Sequence, residues 1–325
     1  MKIAVIIPVY NGEKIIGRCL KALKNQEFDG DYEIIVVDDG STDGTSNVVK
    51  EFNGVKLIRN DRRMGPSFAR NRGAMATDAD VLVFVDADCE PAPDFIKEIT
   101  KEIGHYDAVK GAYKTKQKSA VARFIQYEYE DRYDKLKKEK EIDYFDSCAV
   151  AIKKKHFDMA GGFDERYREP SCEDQDLSFK LSKMGCKIGF NPKAIVYHLH
   201  PESILKYFKR KFKVAYWKAL IIKEHPDKLP RDSYTPFRLK FQVLLFPIFL
   251  LSIVVAFFVK KLWFLPLIIL AIFYLTEVPF LLKLIVKDFR TALVAPVMLF
   301  CRWCAHFAGL TRGGLRLLFV SEKKR

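Results

Sequence analysis

A chain of 325 residues with 49% apolar content can bury a large core and form about two units. It has no internal repeat and no low-complexity tract, which excludes repeat architectures. The formal net charge of +14 gathers beside long apolar segments, which argues for a membrane surface and against nucleic acid as the partner.

The apolar run within Met1 to Pro8 is too short for a signal peptide, so the globular part is expected to stay in the cytosol. Ile3 to Val9 predicts a strand, followed by a helix over Glu13 to Asn25 with Asn11 as its cap. Glu33 to Val37 predicts the next strand, and a helix runs from near Thr42 to Phe52. A strand at Val55 to Arg59, a helix over Ser67 to Ala76 and a strand at Val81 to Val85 continue the alternation. This is the pattern of a doubly wound, mostly parallel α/β sheet.

In such a sheet ligands bind beyond the carboxyl ends of the strands. The turns Pro8-Val9-Tyr10-Asn11-Gly12, Asp38-Asp39-Gly40-Ser41-Thr42-Asp43 and Arg59 to Arg72 converge on that edge with Asp86-Ala87-Asp88. Asp38 and Asp39 can cap the following helix or accept from a ribose hydroxyl or a base N–H. The basic groups and backbone amides of Arg59 to Arg72 suit a diphosphate. Asp86 and Asp88 leave an apolar strand, where a carboxylate pair can hold Mg2+ or Mn2+ beside a phosphate or form a solvated turn.

Taken together, Pro8-Val9-Tyr10-Asn11, the Asp38 to Asp43 turn, Gly65 with Ala69-Arg70-Asn71, and Asp86-Ala87-Asp88 resemble the inverting nucleotide-sugar glycosyltransferases of family 2. The resemblance covers roughly residues 1 to 200. It implies the A-type glycosyltransferase fold, a Rossmann-like, mostly parallel sheet with helices on both faces, and a nucleotide diphosphate sugar donor. It assigns Pro8, Tyr10, Asn11, Asp39, Gly65, Arg70 and Asp86 to the donor, with Asp39 near the base or ribose. Asp86 and Asp88 would lie near the sugar and a Mg2+ or Mn2+ ion.

Cys172-Glu173-Asp174-Gln175-Asp176 opens an amphipathic helix whose acidic first turn also complements the helix dipole. In the resemblance Asp174 matches the catalytic base and Glu173 supports the base or the acceptor. Inverting transfer to a hydroxyl needs a carboxylate opposite the leaving diphosphate to take the acceptor's proton. Gly161 and Gly162 look like the family's acceptor-side loop and equally fit a helix C-cap after Phe157 to Ala160. His198 can complete the metal's ligands, bind the diphosphate or serve structurally.

Lys206, Lys209, Arg210, Lys211, Lys213 and Lys218 alternate with Tyr207, Phe208, Phe212, Tyr216 and Trp217. This predicts a juxtamembrane amphipathic helix and linker over 206–240 on an anionic leaflet. Phe241 to Val259 has no charged side chain, and Leu262 to Leu282 carries only Glu277, so 241–259 and 262–282 predict transmembrane helices. The stretch 292–310, interrupted by Arg302 and His306, reads as interfacial, re-entrant or a third transmembrane helix. Those two residues are expected either as acceptor-side contacts for a lipid phosphate or as snorkelling groups. The expected division is a cytosolic domain over 1–205, the linker, and a membrane region over 241–325. The protein is expected to be a multi-pass cell-membrane protein with its catalytic domain on the cytoplasmic side, an orientation that Lys323-Lys324-Arg325 favours. Cutting after Pro236 is expected to release a soluble domain. The seven cysteines show no zinc-type pairing beyond an unaccompanied Cys301 and Cys304, so reduced thiols are expected.

The expected activity is inverting, metal-dependent, hexosyltransferase-type transfer of one sugar to a hydroxyl of a lipid-linked saccharide or glycolipid. A polyprenyl-phosphate sugar synthase is the alternative, although its anionic acceptor needs no base; a non-catalytic membrane-bound nucleotide-sugar-binding subunit is a further one. The absence of a Gln-x-x-Arg-Trp motif after the base disfavours processive synthesis. The sequence leaves the oligomeric state open.

Overall fold

The computed structural model of the protein describes residues 1–230 and 232–319; the Lys323-Lys324-Arg325 cluster lies outside them. The chain divides into a first unit of Met1–Lys116 with Tyr133–Leu199 and a second of Gln117–Arg132 with the residues from His200 onward.

In the first unit, β1 (Ile3–Val9) lies between β2 (Tyr32–Asp38) and β4 (Val81–Val85), with β3 (Val55–Arg59) beyond β2, all parallel. Valine and isoleucine dominate β1, β2 and β4, and these strands are largely buried, as parallel strands covered by helices on both faces must be. The connecting helices are α1 (Ile16–Lys24), α2 (Thr45–Lys50) and α3 (Pro66–Met75). α1 begins three positions after the expected Glu13, because the Gly12 carbonyl accepts from Ile15 and Ile16 in a turn that precedes it. Asn11 does not cap it, since its side chain accepts from the Thr42 N–H at 2.9 Å.

After β4 come β5 (Cys89–Pro91), α4 (Phe95–Thr100), β6 (Ala108–Lys114), α5 (Ala120–Leu136), β7 (Ala149–Lys153), α6 (Lys154–Met159), α7 (Glu173–Lys183) and β8 (Ile188–His198). The strand order is β3-β2-β1-β4-β7-β6-β8-β5. In this half the sheet is mixed: β7 runs antiparallel to β4 and β6, and β5 antiparallel to β8. Val85 pairs with Ala149, so the chain leaving β4 at Asp86 meets the residues entering β7. Cys89 pairs with His198, which brings the end of β8 to the same place.

The second unit contains the first turns of α5, then α8 (Ile204–Glu224), α9 (Phe237–Phe258), α10 (Leu265–Thr276), α11 (Val278–Lys287) and α12 (Phe289–Phe319). Among the described residues α9 and α12 are each long and apolar enough to cross a membrane, while α10 and α11 meet at a 59° bend. The run at 262–282 is therefore the bent pair, and the interrupted 292–310 lies inside a continuous 31-residue helix. Pro279 in the first turn of α11 breaks the helix at the bend, and Glu277 there meets the charge of α12. Fully buried at the bend, it accepts from Arg302 Nη2 at 2.5 Å and from Gln242 Nε2 at 2.9 Å, so α12 carries its arginine against protein and not against lipid. Arg302 also donates to Glu128 Oε1 at 3.0 Å, an acid that Lys211 approaches to 2.9 Å.

The basic helix α8 is held closely to α12. A Cβ added at Gly309 would lie 2.4 Å from the Phe212 carbonyl oxygen, and one at Gly313 2.2 Å from that of Tyr216. Only glycine at both positions lets the backbones approach this closely. Large apolar side chains such as Leu244, Phe257, Val286 and Leu293 are exposed on the remaining faces, as lipid-facing groups would be.

Candidate active site

The first three turns are stitched together by their own polar groups. Asn11 N donates to Ser41 Oγ at 2.8 Å and Gly12 N to Thr45 Oγ1 at 2.8 Å, joining the turn after β1 to the turn after β2. Asp38 accepts from Ser41 N at 2.8 Å and from the Ser46 hydroxyl, so it shapes its own turn. Asp39, buried, reaches across to the third turn, accepting from Asn60 Nδ2 at 2.6 Å, Met64 N at 2.9 Å and Gly65 N at 2.8 Å. Gly65 takes φ 108°, and a Cβ there would lie 2.8 Å from the Arg168 carbonyl oxygen. Pro8 sits in β1, half-buried, and Tyr10 stands exposed with the Arg63 guanidinium 4.4 Å from its ring centre. A flat aromatic beside a cation at a strand-end edge is a surface on which a nucleobase can stack.

Arg70 is the centre of the next layer. It is 2% exposed, and its two terminal nitrogens reach Asp86 Oδ1 at 2.7 Å and Glu173 Oε1 at 3.0 Å. Burial alone would lower its pKa, but the Asp86 and Glu173 carboxylates raise it, so the guanidinium stays charged. Glu173 is itself buried, and its second oxygen accepts from Ser171 N at 2.7 Å. Arg70 and Glu173 therefore face each other, and both are committed to protein partners.

Asp174 follows at the start of α7. It is partly exposed, and its Oδ1 accepts from Gln175 N at 2.8 Å. Burial first, then the charges of Glu173 and Asp146, push its carboxyl well above the usual aspartate range. Asp146 is a neighbour that sequence patterning missed. It pairs with Lys110, which is fully buried in β6 and lies 5.2 Å from the Tyr113 ring, 5.5 Å from that of Tyr133 and 5.4 Å from that of Tyr144. The available signal was a lysine in the middle of the apolar run Ala108 to Tyr113.

Asp88 points toward His198, with Oδ1 3.8 Å from Nε2. That is longer than a hydrogen bond, with the two side chains near enough to draw together on one divalent ion. Asp86 is turned to Arg70, and among the described residues the close group of Cys89, Cys148 and His198 includes neither aspartate. Gly161 and Gly162 close α6, their N–H groups donating to Asp158 and Phe157 carbonyls at 3.0 Å. The Asn71 side chain then holds Phe163 by both its N–H and its C=O, at 2.9 and 2.8 Å. Arg302 and His306 belong to the second unit, where His306 Nδ1 lies 2.8 Å from the Arg302 carbonyl.

Residues 4–162 match the sequence profile described as glycosyl transferase family 2. Glycosyltransferase AglE of Haloferax volcanii is 35% identical over 100 residues, covering 29% of this chain and 33% of its own. The pre-mycofactocin glycosyltransferase of Mycobacterium tuberculosis is 26% identical over 70% of this chain and 48% of its own. The chain thus spans between a third and a half of the length of these curated relatives. Among solved structures, the mannosyltransferase PcManGT of Pyrobaculum calidifontis, in complex with GDP-Man and Mn2+, has a similar fold. Its TM-score is 0.58 at 20% identity, over 98% of this chain and 88% of that one.

Proposed function

From the match of residues 4–162 to the family 2 profile, we propose that the protein is a glycosyltransferase that moves one hexosyl group from a nucleotide diphosphate sugar to a hydroxyl of a lipid-linked saccharide or glycolipid, inverting the anomeric centre. Asp174 is the observation that carries this reading. A partly exposed carboxyl with a raised pKa, at the start of a helix whose first residue is tied through Arg70 to Asp86, suits a general base.

In this reading the Tyr10 ring and the Arg63 guanidinium receive the nucleoside. Asp39 fixes the third turn, whose backbone amides and basic groups lie along the diphosphate. Asp88 and His198 would hold the Mg2+ or Mn2+, which when bound neutralises charge developing on the leaving diphosphate. The acceptor hydroxyl approaches the anomeric carbon from the face opposite the diphosphate and gives its proton to an Asp174 carboxylate oxygen. The new glycosidic bond forms as the bond to the diphosphate breaks. Arg70 and Glu173 act through position alone, keeping Asp86 and α7 in register.

The long apolar helices α9 and α12 support a membrane location; an acceptor carried on lipid and a catalytic unit at the cytoplasmic face are part of the proposal. A base-bearing site disfavours the polyprenyl-phosphate alternative. The test is a thermal-shift panel of nucleotide sugars with Mn2+, beginning with GDP-mannose because the Pyrobaculum protein was solved with it. Radiolabelled donor is then offered to extracted lipids. Label in a lipid-linked saccharide or glycolipid is expected; label only in a polyprenyl monophosphate sugar, or donor binding with no transfer, would overturn the proposal.

A further inference from the structure

We propose that Asp107, His156 and Cys186 form a metal site of their own, for a divalent cation of the zinc class, at the edge of the sheet opposite the candidate active site. Three separate elements bring them together. Asp107 immediately precedes β6, Cys186 lies just before β8, and His156 stands in α6, directly after β7. Ala108 pairs with both Ile188 and Ile152, so β6 and β8 begin where the antiparallel β7 ends. His198 lies at the other end of β8, roughly 30 Å along the strand, so this cluster shares no residue with the one that Asp88 faces.

Each of the three residues offers a ligand atom within 4.8 Å of the other two. Asp107 is fixed before any ion arrives. Its N–H donates to the Lys187 carbonyl at 2.8 Å, its carbonyl accepts from Lys153 N at 2.9 Å, and its Oδ2 accepts from Lys187 N at 3.0 Å. Its other oxygen, Oδ1, lies 3.3 Å from His156 Nδ1. That nitrogen is buried and has no hydrogen-bond partner among the described residues, although buried polar atoms ordinarily find one. A tetrahedral ion with bonds of about 2.0 Å to oxygen and nitrogen and about 2.3 Å to sulfur holds such donors about 3.3 to 3.6 Å apart. The Asp107–His156 pair already has that spacing, and the Cys186 thiol has at most about 1.5 Å to travel.

The donor set decides which ion enters. A thiolate, an imidazole and a carboxylate suit zinc-class ions, whereas Mg2+ takes oxygen donors and keeps its waters. Three protein ligands leave a fourth position for water, which these half-buried residues can admit. Cys186 gives its thiol proton to solvent as its bond to the cation forms, so no oxidant or reductant is involved. Lys153 is the competitor: its Nζ lies 3.1 Å from Asp107 Oδ1, and its side chain, about a quarter exposed, can turn to solvent as the ion takes the carboxylate. The bound ion then ties the starts of β6 and β8 to α6. This site does not depend on the sugar-transfer reading, and it is tested without donor or acceptor.

The test follows Cys186 itself, so an ion bound elsewhere in the chain cannot imitate the result. Full-length, reduced protein in detergent is treated with iodoacetamide with and without Zn2+, and alkylation of each cysteine is read by peptide mass spectrometry. Cys186 is only partly buried, so the reagent reaches it. Zn2+ should slow its alkylation by more than about tenfold, EDTA should restore the rate, and Mg2+ should leave it unchanged. In His156→Ala and in Asp107→Asn protection should require more than about tenfold higher Zn2+. Lys153→Gln, which removes the competing ammonium, should be protected at lower Zn2+ than the wild type. Equal alkylation of wild-type Cys186 with and without Zn2+, a measurement that needs no variant to fold, would overturn the proposal. Protection that survives unchanged in His156→Ala would do the same, because the thiol would then be binding alone.

Discussion

Arg70 Nη2 lies 2.7 Å from Asp86 Oδ1, so the first aspartate of Asp86-Ala87-Asp88 is held by a buried guanidinium and only the second faces His198. The two carboxylates look equivalent in sequence and have different surroundings in the structure: one is paired with Arg70, the other is turned toward His198.

Arg70→Ala should therefore destabilise the first unit. It leaves Glu173 buried and without its cation, a loss of about 3–5 kcal/mol, read as a lower urea midpoint in detergent. Arg70→Lys keeps the charge but cannot reach both carboxylates with fixed geometry, so it should recover part of that stability. A midpoint unchanged in Arg70→Ala would show that the two ion pairs hold nothing in place.

Asp174→Asn should keep donor binding and cut transfer by about 10²–10⁴-fold. The pH dependence separates a base from a bystander. Because the Asp174 carboxyl is raised by burial and by Glu173 and Asp146, the rate should climb with pH along a limb above the ordinary aspartate range. The stability sign is opposite. A raised acid contributes its stability below the unfolded pKa and loses it as pH rises through the folded one. Asp174→Asn should therefore unfold at a higher temperature than the wild type at neutral pH; an equal or lower value there would remove the strained-carboxyl account.

How far these roles were legible depended on where the partners lie in the chain. β1 to β4 could be read because each strand is a short apolar run closed by a turn, a signal local to about ten residues. Asp39 was legible as a turn residue, but its three partners come from Asn60, Met64 and Gly65, which no periodicity connects to it. The antiparallel β7 was invisible for the same reason, and with it the meeting of Asp146 with Lys110 and of Cys148 with Cys89. Glu277 shows the limit of counting apolar residues. A single acid in a long apolar run was tolerable by composition, yet it sits at the bend that breaks the helix.

Glu128 should make the second unit acid-sensitive. Burial would raise this carboxyl, but Lys211 and then Arg302 overcome it and hold it at about 2, down from 4.5. A depressed acid contributes stability above its unfolded pKa and loses it as pH falls through the folded one, so the loss should run from about pH 4.5 toward 2. Glu128→Gln should flatten that part of the melting-temperature profile. Arg302→Met should lower stability at neutral pH by about 3–5 kcal/mol, since Glu128 and Glu277 both lose their shared partner. If Arg302 instead bound a lipid phosphate, the variant would melt normally and lose only acceptor affinity.

Truncation after Pro236 tests where the division of the chain lies. The first turns of α5 belong to the second unit: Phe124, Ile125 and Tyr127 lie in one buried cluster with Tyr207, Phe246, Phe280 and Trp303. Removing α9 to α12 would strip Phe280 and Trp303 from that cluster, and Arg302 from Glu128. About 25 cal/mol per Å² of apolar surface would then face water on a helix whose last turn still belongs to the first unit. Residues 1–236 should consequently aggregate on size-exclusion chromatography despite having lost every long apolar helix. Replacing Phe124, Ile125 and Tyr127 with polar residues in the same truncation should restore a monodisperse peak. A monodisperse unmodified truncation would show instead that the 117–132 segment needs no cover from the apolar helices, and the boundary would return to the linker ahead of α9.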